Sequence, residues 1–174
     1  MYKIGDLILY GNTGICRITD ISTRNIPGRD KNQLYYVLEP FYQDRTTIYT
    51  PTDTKVFMRP VVSREEAEKL IALIPTIKAK PYHNRATSEL EQHYRAFFKS
   101  HNCEDLIEIT MSIYNKRQEL AEQKRKFGSV DERFMKQAED LLFGELSVAL
   151  DVPKDEMPAY IERRIGEIAE GDVE

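Results

Sequence analysis

Around Pro60 the apolar residues change their spacing, and no single regular element can contain both patterns. Before Pro60, short β-branched and aromatic runs are broken every few positions by Gly, Asn and Pro. After it, apolar residues recur every three or four positions. A period near two places side chains on both faces of a strand, whereas a period of 3.6 gathers them on one helical stripe. The chain therefore predicts an α+β protein of two domains, an N-terminal small SH3/Tudor-like β-barrel followed by an all-α helical C-terminal domain. At 174 residues there is enough chain for two small cores, burying about two thirds of the unfolded surface.

Five strands are expected. Ile4 to Tyr10 forms the first, and Gly11-Asn12-Thr13-Gly14 supplies the turn into a second from Ile15 to Thr23. A loop at Asn25-Ile26-Pro27-Gly28 leads to Gln33–Glu39, then to Thr46–Thr50, which Pro51 stops, and to a short run from Lys55 to Arg59. So few short strands bury one face poorly unless they close on themselves, which favours a barrel. Helices follow from their caps: Ser63 with Glu66, Ser88 with Glu91, Asn102, Ser129 with Glu132, and Asp151 ahead of Pro153. Pro75 ends the first, and Lys78 to Arg85 is the best linker segment. The expected divisions are residues 1–62 for the barrel, 63–86 for a connecting helix and linker, and 87–174 for the helical domain.

Composition narrows the function by exclusion. The formal charge of -4 offers no global attraction to nucleic acid, so any DNA contact needs a local basic patch. The start MYKIGDLILY lacks an apolar targeting core, and no stretch is long and apolar enough for a membrane span, so a cytoplasmic protein is expected. Cys16 and Cys103 have no CxxC spacing and read as two free thiols. With His83, His93 and His101 they are the only candidates for nucleophile, base or metal ligand, and none has the spacing for it. The Asp and Glu side chains alternate with Lys and Arg as solvated surface charge does. The expectation is a non-enzyme with no cofactor and no metal.

Two features carry binding potential. Lys116-Arg117 and Lys124-Arg125-Lys126 place Arg117 and Lys124 seven apart on one helical face, with Arg133 and Lys136 on the next helix. Such a ridge suits backbone phosphates, and equally it is what a solvated helix end looks like, where cations complement the macrodipole. The strand Thr46–Thr50 is β-branched except for Tyr49 and is ended by a proline, as edge strands are. An edge accepts a partner strand through main-chain hydrogen bonds with Tyr49 as anchor, and an ordinary barrel strand reads the same way.

The segment YKIGDLILYGNTGICRITDISTRNIPG, with LYYVL and TIYTPTD running into VFMRPVVS, resembles the CarD/CdnL family of bacterial RNA-polymerase-binding transcription regulators, whose amino-terminal module is shared with the transcription-repair coupling factor. The helical half is similar to clostridial-type members in HYRAFFKSHNCEDL, VDERFMKQAEDLLFGELSVAL and VPKDEMPAYIERRI, so the likeness covers nearly the whole chain. The resemblance implies that the barrel docks on the RNA polymerase β subunit through Thr46, Thr47, Ile48, Tyr49, Thr50 and Pro51, with Arg24 from a neighbouring loop. It implies that the helical domain contacts promoter DNA at the upstream edge of the transcription bubble and modulates open-complex stability.

Two positions depart from the family pattern. Tyr49 stands where well-known members carry arginine, which shifts the expected contact toward stacking and main-chain pairing. The family's tryptophan wedge is missing, because the chain has no tryptophan, and Leu90 falls near the aligned position. An apolar wedge kinks DNA by unstacking a base step. The DNA contact is then assigned to Leu90, Arg95, Lys99, Arg117, Lys124 and Arg125. The alternative is a polymerase-bound adaptor whose helical domain recruits another protein. Partners expected are the polymerase β subunit and promoter DNA read without sequence preference, with no membrane, for a monomeric chain.

Overall fold

The computed structural model describes residues 1–171, and the chain falls into two units, Met1–Val61 and Val62–Glu174. The first is the expected β unit. Strands β1 (Leu7–Tyr10), β2 (Gly14–Thr23), β3 (Leu34–Pro40), β4 (Ile48–Pro51) and β5 (Met58–Pro60) form one antiparallel sheet in the order β4-β3-β2-β1-β5. Its inner face carries Ile8, Cys16, Ile18, Tyr36 and Leu38, with Tyr10, Ile48 and Met58 around them.

Curvature is visible in one hydrogen bond. The Tyr10 hydroxyl lies 3.1 Å from Thr50 Oγ1, although β1 and β4 are three strands apart in the sheet. In a flat sheet that separation is about 14 Å, beyond the reach of these two side chains. The sheet therefore curls into a barrel-like wrap, with β4 and β5 left at its two ends. Gly11, at φ 48°, makes the turn after β1 where an added Cβ would sit 3.0 Å from Val56 Cγ1.

A bulge sets which residues face out. Ile18 pairs with Leu38 and Asp20 with Val37, leaving Thr19 without a partner residue and its hydroxyl 3.2 Å from the Val37 carbonyl. The extra residue reverses the alternation along β2: Cys16 and Ile18 point inward before it, Ile21 after it. Asp20 and Ser22 are thereby turned to the outer face.

The second unit is helical: α1 (Arg64–Leu73), α2 (Thr87–Ala96), α3 (Cys103–Glu122), α4 (Ser129–Leu150) and α5 (Met157–Gly171). The Ser63/Glu66 capping box opens α1, and Pro75 sits in the 3-10 turn Ile74–Thr76 that ends it. Asn102 caps α3 through Asp105 N–H at 2.9 Å. Three caps differ from expectation. Ala86 precedes α2 in place of Ser88, because the Asn84 side chain already organises the entry by accepting Ala86 N–H. Gly128 precedes α4 in place of Ser129, and its missing Cβ leaves room for Asp131, whose Oδ2 would lie 3.2 Å from it. Asp151 closes α4 in a left-handed conformation, φ 54°, and does not open the last helix.

Residues 63–86, expected to connect the two parts, contain α1, whose Ala67, Leu70 and Ile71 are buried in the core of the helical unit. The stretch after it is held too: Ser112 Oγ donates to the Lys80 carbonyl at 2.7 Å and Asn115 Nδ2 to that of Ala79 at 2.8 Å. The expected faces of α3 (Leu106, Ile109, Ile113, Leu120) and α4 (Phe134, Ala138, Leu142, Leu146) are buried.

Candidate partner-binding surfaces

In the barrel, β4 has one neighbour only, so its second edge is open. Thr52 N–H donates to the Leu34 carbonyl at 3.0 Å, and antiparallel alternation then turns the Thr50 main chain toward β3 and that of Tyr49 away from it. Tyr49 thus offers a donor and an acceptor to an incoming strand. Pro51, which has no N–H, occupies the next outward position, where its missing donor leaves nothing unpaired within the barrel.

The expected docking residues divide by face. Ile48 packs on the inner core and Thr50 is buried against Tyr10, so neither side chain is available to a partner. Thr46 and Thr47 lie before β4, in the connection from β3. Tyr49 is 50% exposed on the outer face, and the Arg24 guanidinium lies 4.9 Å from its ring centroid. Arg24 also reaches Asp20 at 3.7 Å, a loose surface pair of little energetic weight. Two residues assigned separately from the sequence, Arg24 and Tyr49, are therefore brought together as one cationic and aromatic knob beside the open edge.

The expected DNA residues are less coherent. Leu90 is 7% exposed and belongs to the helical core. It lies on the apolar stripe of α2 with Tyr94 and cannot act as the wedge. Arg95 pairs with Glu91 at 3.1 Å, and Arg133 binds the same carboxylate at 2.8 Å; that hydrogen bond from Arg133 leads the causes that lower the Glu91 pKa. Lys99 is exposed in the turn after α2.

Arg117, Lys124 and Arg125 form the coherent subset, all exposed around the α3–α4 connection. Arg117 lies over Tyr114 and Phe127, with 5.4 and 5.9 Å to the ring centroids. The connection is tight because α3 ends with Lys124 in the left-handed region, φ 55°, while Lys124 N–H bonds Ala121 O at 3.1 Å and Arg125 N–H bonds Leu120 O at 2.7 Å. This paired closure usually uses glycine, so the lysine carries backbone strain of about 1 kcal/mol to stand there.

Lys116 leaves the basic ridge altogether. Its Nζ lies 2.9 Å from Asp131 Oδ1, both side chains about 95% buried (6% and 5% exposed), and the Tyr94 hydroxyl donates to the same oxygen at 2.5 Å. Burial and the Asp131 carboxylate raise the Tyr94 pKa well above its ordinary value. The signal was present: Leu106, Ile109, Ile113, Lys116 and Leu120 step by three and four, so Lys116 occupies a core position of α3. Glu145 of α4, equally buried, accepts from Val62 N–H at 3.0 Å and lies 3.2 Å from Cys103 Sγ. Spacing did not reveal that contact.

Among the described residues, no group of His, Cys, Asp and Glu has the arrangement of a metal site. Nor is any helix long and apolar enough to cross a membrane. An apolar hollow of about 210 Å³ between α3, α4 and α5 is lined in part by Thr110 and Tyr114, whose hydroxyls are already bonded to Leu106 O and Glu139. Burial pushes the Cys16 thiol up to about 11, which keeps it protonated and unreactive at neutral pH. Compared with known families, residues 2–62 match the model of the CarD-like/TRCF RID domain.

Proposed function

We propose that the chain, whose residues 2–62 match the model of the CarD-like/TRCF RID domain, is an RNA-polymerase-binding regulator of transcription that docks on the polymerase β subunit through the open edge of β4. The supporting observation is the conjunction of that edge with the Arg24–Tyr49 knob. Main-chain pairing supplies affinity without sequence demands, and the aromatic anchor supplies register. The β4 residues with inward side chains, Ile48 and Thr50, contribute by holding the edge straight.

The helical unit then meets promoter DNA near the upstream edge of the bubble through Arg117, Lys124 and Arg125, with Arg95 and Lys99 at the margin. A chain that binds the melted promoter better than the closed one shifts the equilibrium by the difference in affinity, without catalysis or a cofactor. It acts in the cytoplasm as a monomer, one chain per polymerase. The test is the lifetime of the open complex on a promoter from the same organism, with and without the full chain. The expected result is a changed lifetime that Tyr49→Ala abolishes. No change with the wild-type chain would overturn the proposal.

One observation favours the adaptor reading. Residues 62–174 contain seventeen Lys and Arg against twenty-three Asp and Glu, while residues 1–61 contain eight against six. With Lys116 and Arg133 engaged internally, the cationic surface left for phosphates is small. Salt dependence separates the two readings, because phosphate contacts weaken steeply with salt and a protein partner need not.

A further inference from the structure

Among the described residues, three side-chain polar atoms are shielded from solvent and make no hydrogen bond: Ser22 Oγ, Arg24 Nε and Tyr35 OH. They share one place. Ser22 pairs with Tyr35 across β2 and β3, and Tyr35 pairs with Pro51 across β3 and β4, so these three residues form a row on the outer face. The neighbouring row is Asp20, Val37 and Tyr49. Arg24, one residue past β2, spans the two rows with its guanidinium over Tyr49. Tyr35 is 2% exposed, so its hydroxyl is held beneath this surface.

A buried donor without a partner costs the full desolvation of the group, and native proteins rarely keep one. Three such atoms at the docking edge are all donors, and one belongs to a cation. We infer that they form a slot that takes a hydrogen-bond-accepting oxygen from a side chain of the docking partner, reached by a turn of the Arg24 side chain that gives up its loose 3.7 Å pair with Asp20 and keeps the guanidinium beside Tyr49. Asp20 stays to balance the local charge, and its other oxygen is held by Ile21 N–H at 2.9 Å. Ser22 and Tyr35 are thus specificity residues for the partner, and Tyr49 and the edge supply the bulk of the affinity. The slot rests on the docking proposed above.

Tyr35→Phe and Ser22→Ala, made in the full chain, test it against purified core RNA polymerase, with Tyr49→Ala as reference. In the free protein each hydroxyl deletion removes an unpaired group, so the melting temperature stays or rises. In the complex each removes a bond, so Kd weakens by about 2- to 10-fold. Kd equal to wild type in both variants, while Tyr49→Ala weakens binding, overturns the slot and leaves the docking edge standing. A lower melting temperature in both also overturns it, because the hydroxyls are then bonded within the free chain. Absence of any wild-type complex removes the docking proposal and the slot with it.

Discussion

Among the described residues, buried side-chain polar atoms without a hydrogen bond occur in only one of the two units. In the helical unit buried polar groups are paired: Lys116 with Asp131, Tyr94 with Asp131, Glu145 with Val62 N–H, Ser112 with Lys80 O, Thr110 with Leu106 O. In the barrel, Ser22, Arg24 and Tyr35 keep polar atoms unpaired on one face. Satisfied polar groups fix one packing arrangement, and unsatisfied ones hold interaction capacity for another molecule. On the docking proposed above, the first set serves structure and the second serves recognition.

The most damaging change should therefore be in the helical unit, at a group that meets no partner. Lys116→Met leaves Asp131 buried with the Tyr94 hydroxyl alone. The expected loss is about 3 kcal/mol in urea denaturation of the full chain, the usual cost of stranding a buried charge. Changing both partners, Lys116→Met with Asp131→Leu, should cost less than the single variant. A single-variant loss below about 1 kcal/mol would break the contrast, since the pair would then behave like a surface one.

In the barrel the largest effect should be on binding, with little change in fold. Tyr49→Ala removes an exposed ring and its Arg24 contact but nothing from the inner core. Polymerase affinity should fall about tenfold or more, the scale of an aromatic anchor, with the melting temperature within a few degrees of wild type. Arg24→Glu should do likewise. Normal affinity in both variants would move the docking surface elsewhere on the barrel.

These two predictions differ in how far the sequence foretold them. The change of period at Pro60 was enough to read both units, because hydrophobic spacing reports which face is buried. Tyr49 and Arg24 were named as docking residues through family likeness, but their contact depends on the Thr19 bulge, which a strict period of two does not show. Leu90 shows the opposite limit. Family likeness sets it near the position of a missing tryptophan, whereas its place on the α2 stripe beside Tyr94 marks it as core. Lys116 counts by charge as part of a basic cluster, yet its spacing from Ile113 and Leu120 fits the core, and only its buried acid partner, fifteen residues on, makes that position tolerable. Long-range pairing of this kind has no local signature.

The α3–α4 connection tests whether a surface group in the helical unit can be a recognition element as well. Neutralising Lys124 and Arg125 to Gln should reduce the slope of log affinity for promoter DNA against log salt by about two, near one for each phosphate left without its cation. An unchanged slope favours the protein-recruiting adaptor. Lys124→Gly separates binding from backbone strain at the same site. Glycine relieves the left-handed backbone, so the helical unit should gain up to about 1 kcal/mol while DNA affinity falls. Loss of stability instead would show that the lysine side chain supports the turn.

The smallest effect should come from pH, and it too should separate the units. All three histidines, His83, His93 and His101, lie in the helical unit. His93 stacks on Tyr82 at 3.7 Å between centroids and meets Phe97 edge-on at 5.5 Å, in a hollow also lined by Lys78, Lys80 and Glu108. Burial, and after it the charge of Lys116, hold its pKa below the ordinary value of about 6.5. The unfolded chain therefore takes up the proton first. Stability contributed by neutral His93 is fully present well above pH 6.5, declines as pH falls through that value, and levels off once the folded-state pKa has been passed. Amide exchange followed from about pH 8 to about pH 5, after correction for the intrinsic rate, should show the helical unit losing protection and the barrel keeping it. His93→Gln should remove part of that slope, and an equal loss in both units would mean that their stabilities are coupled and the contrast between them is not one of independent cores.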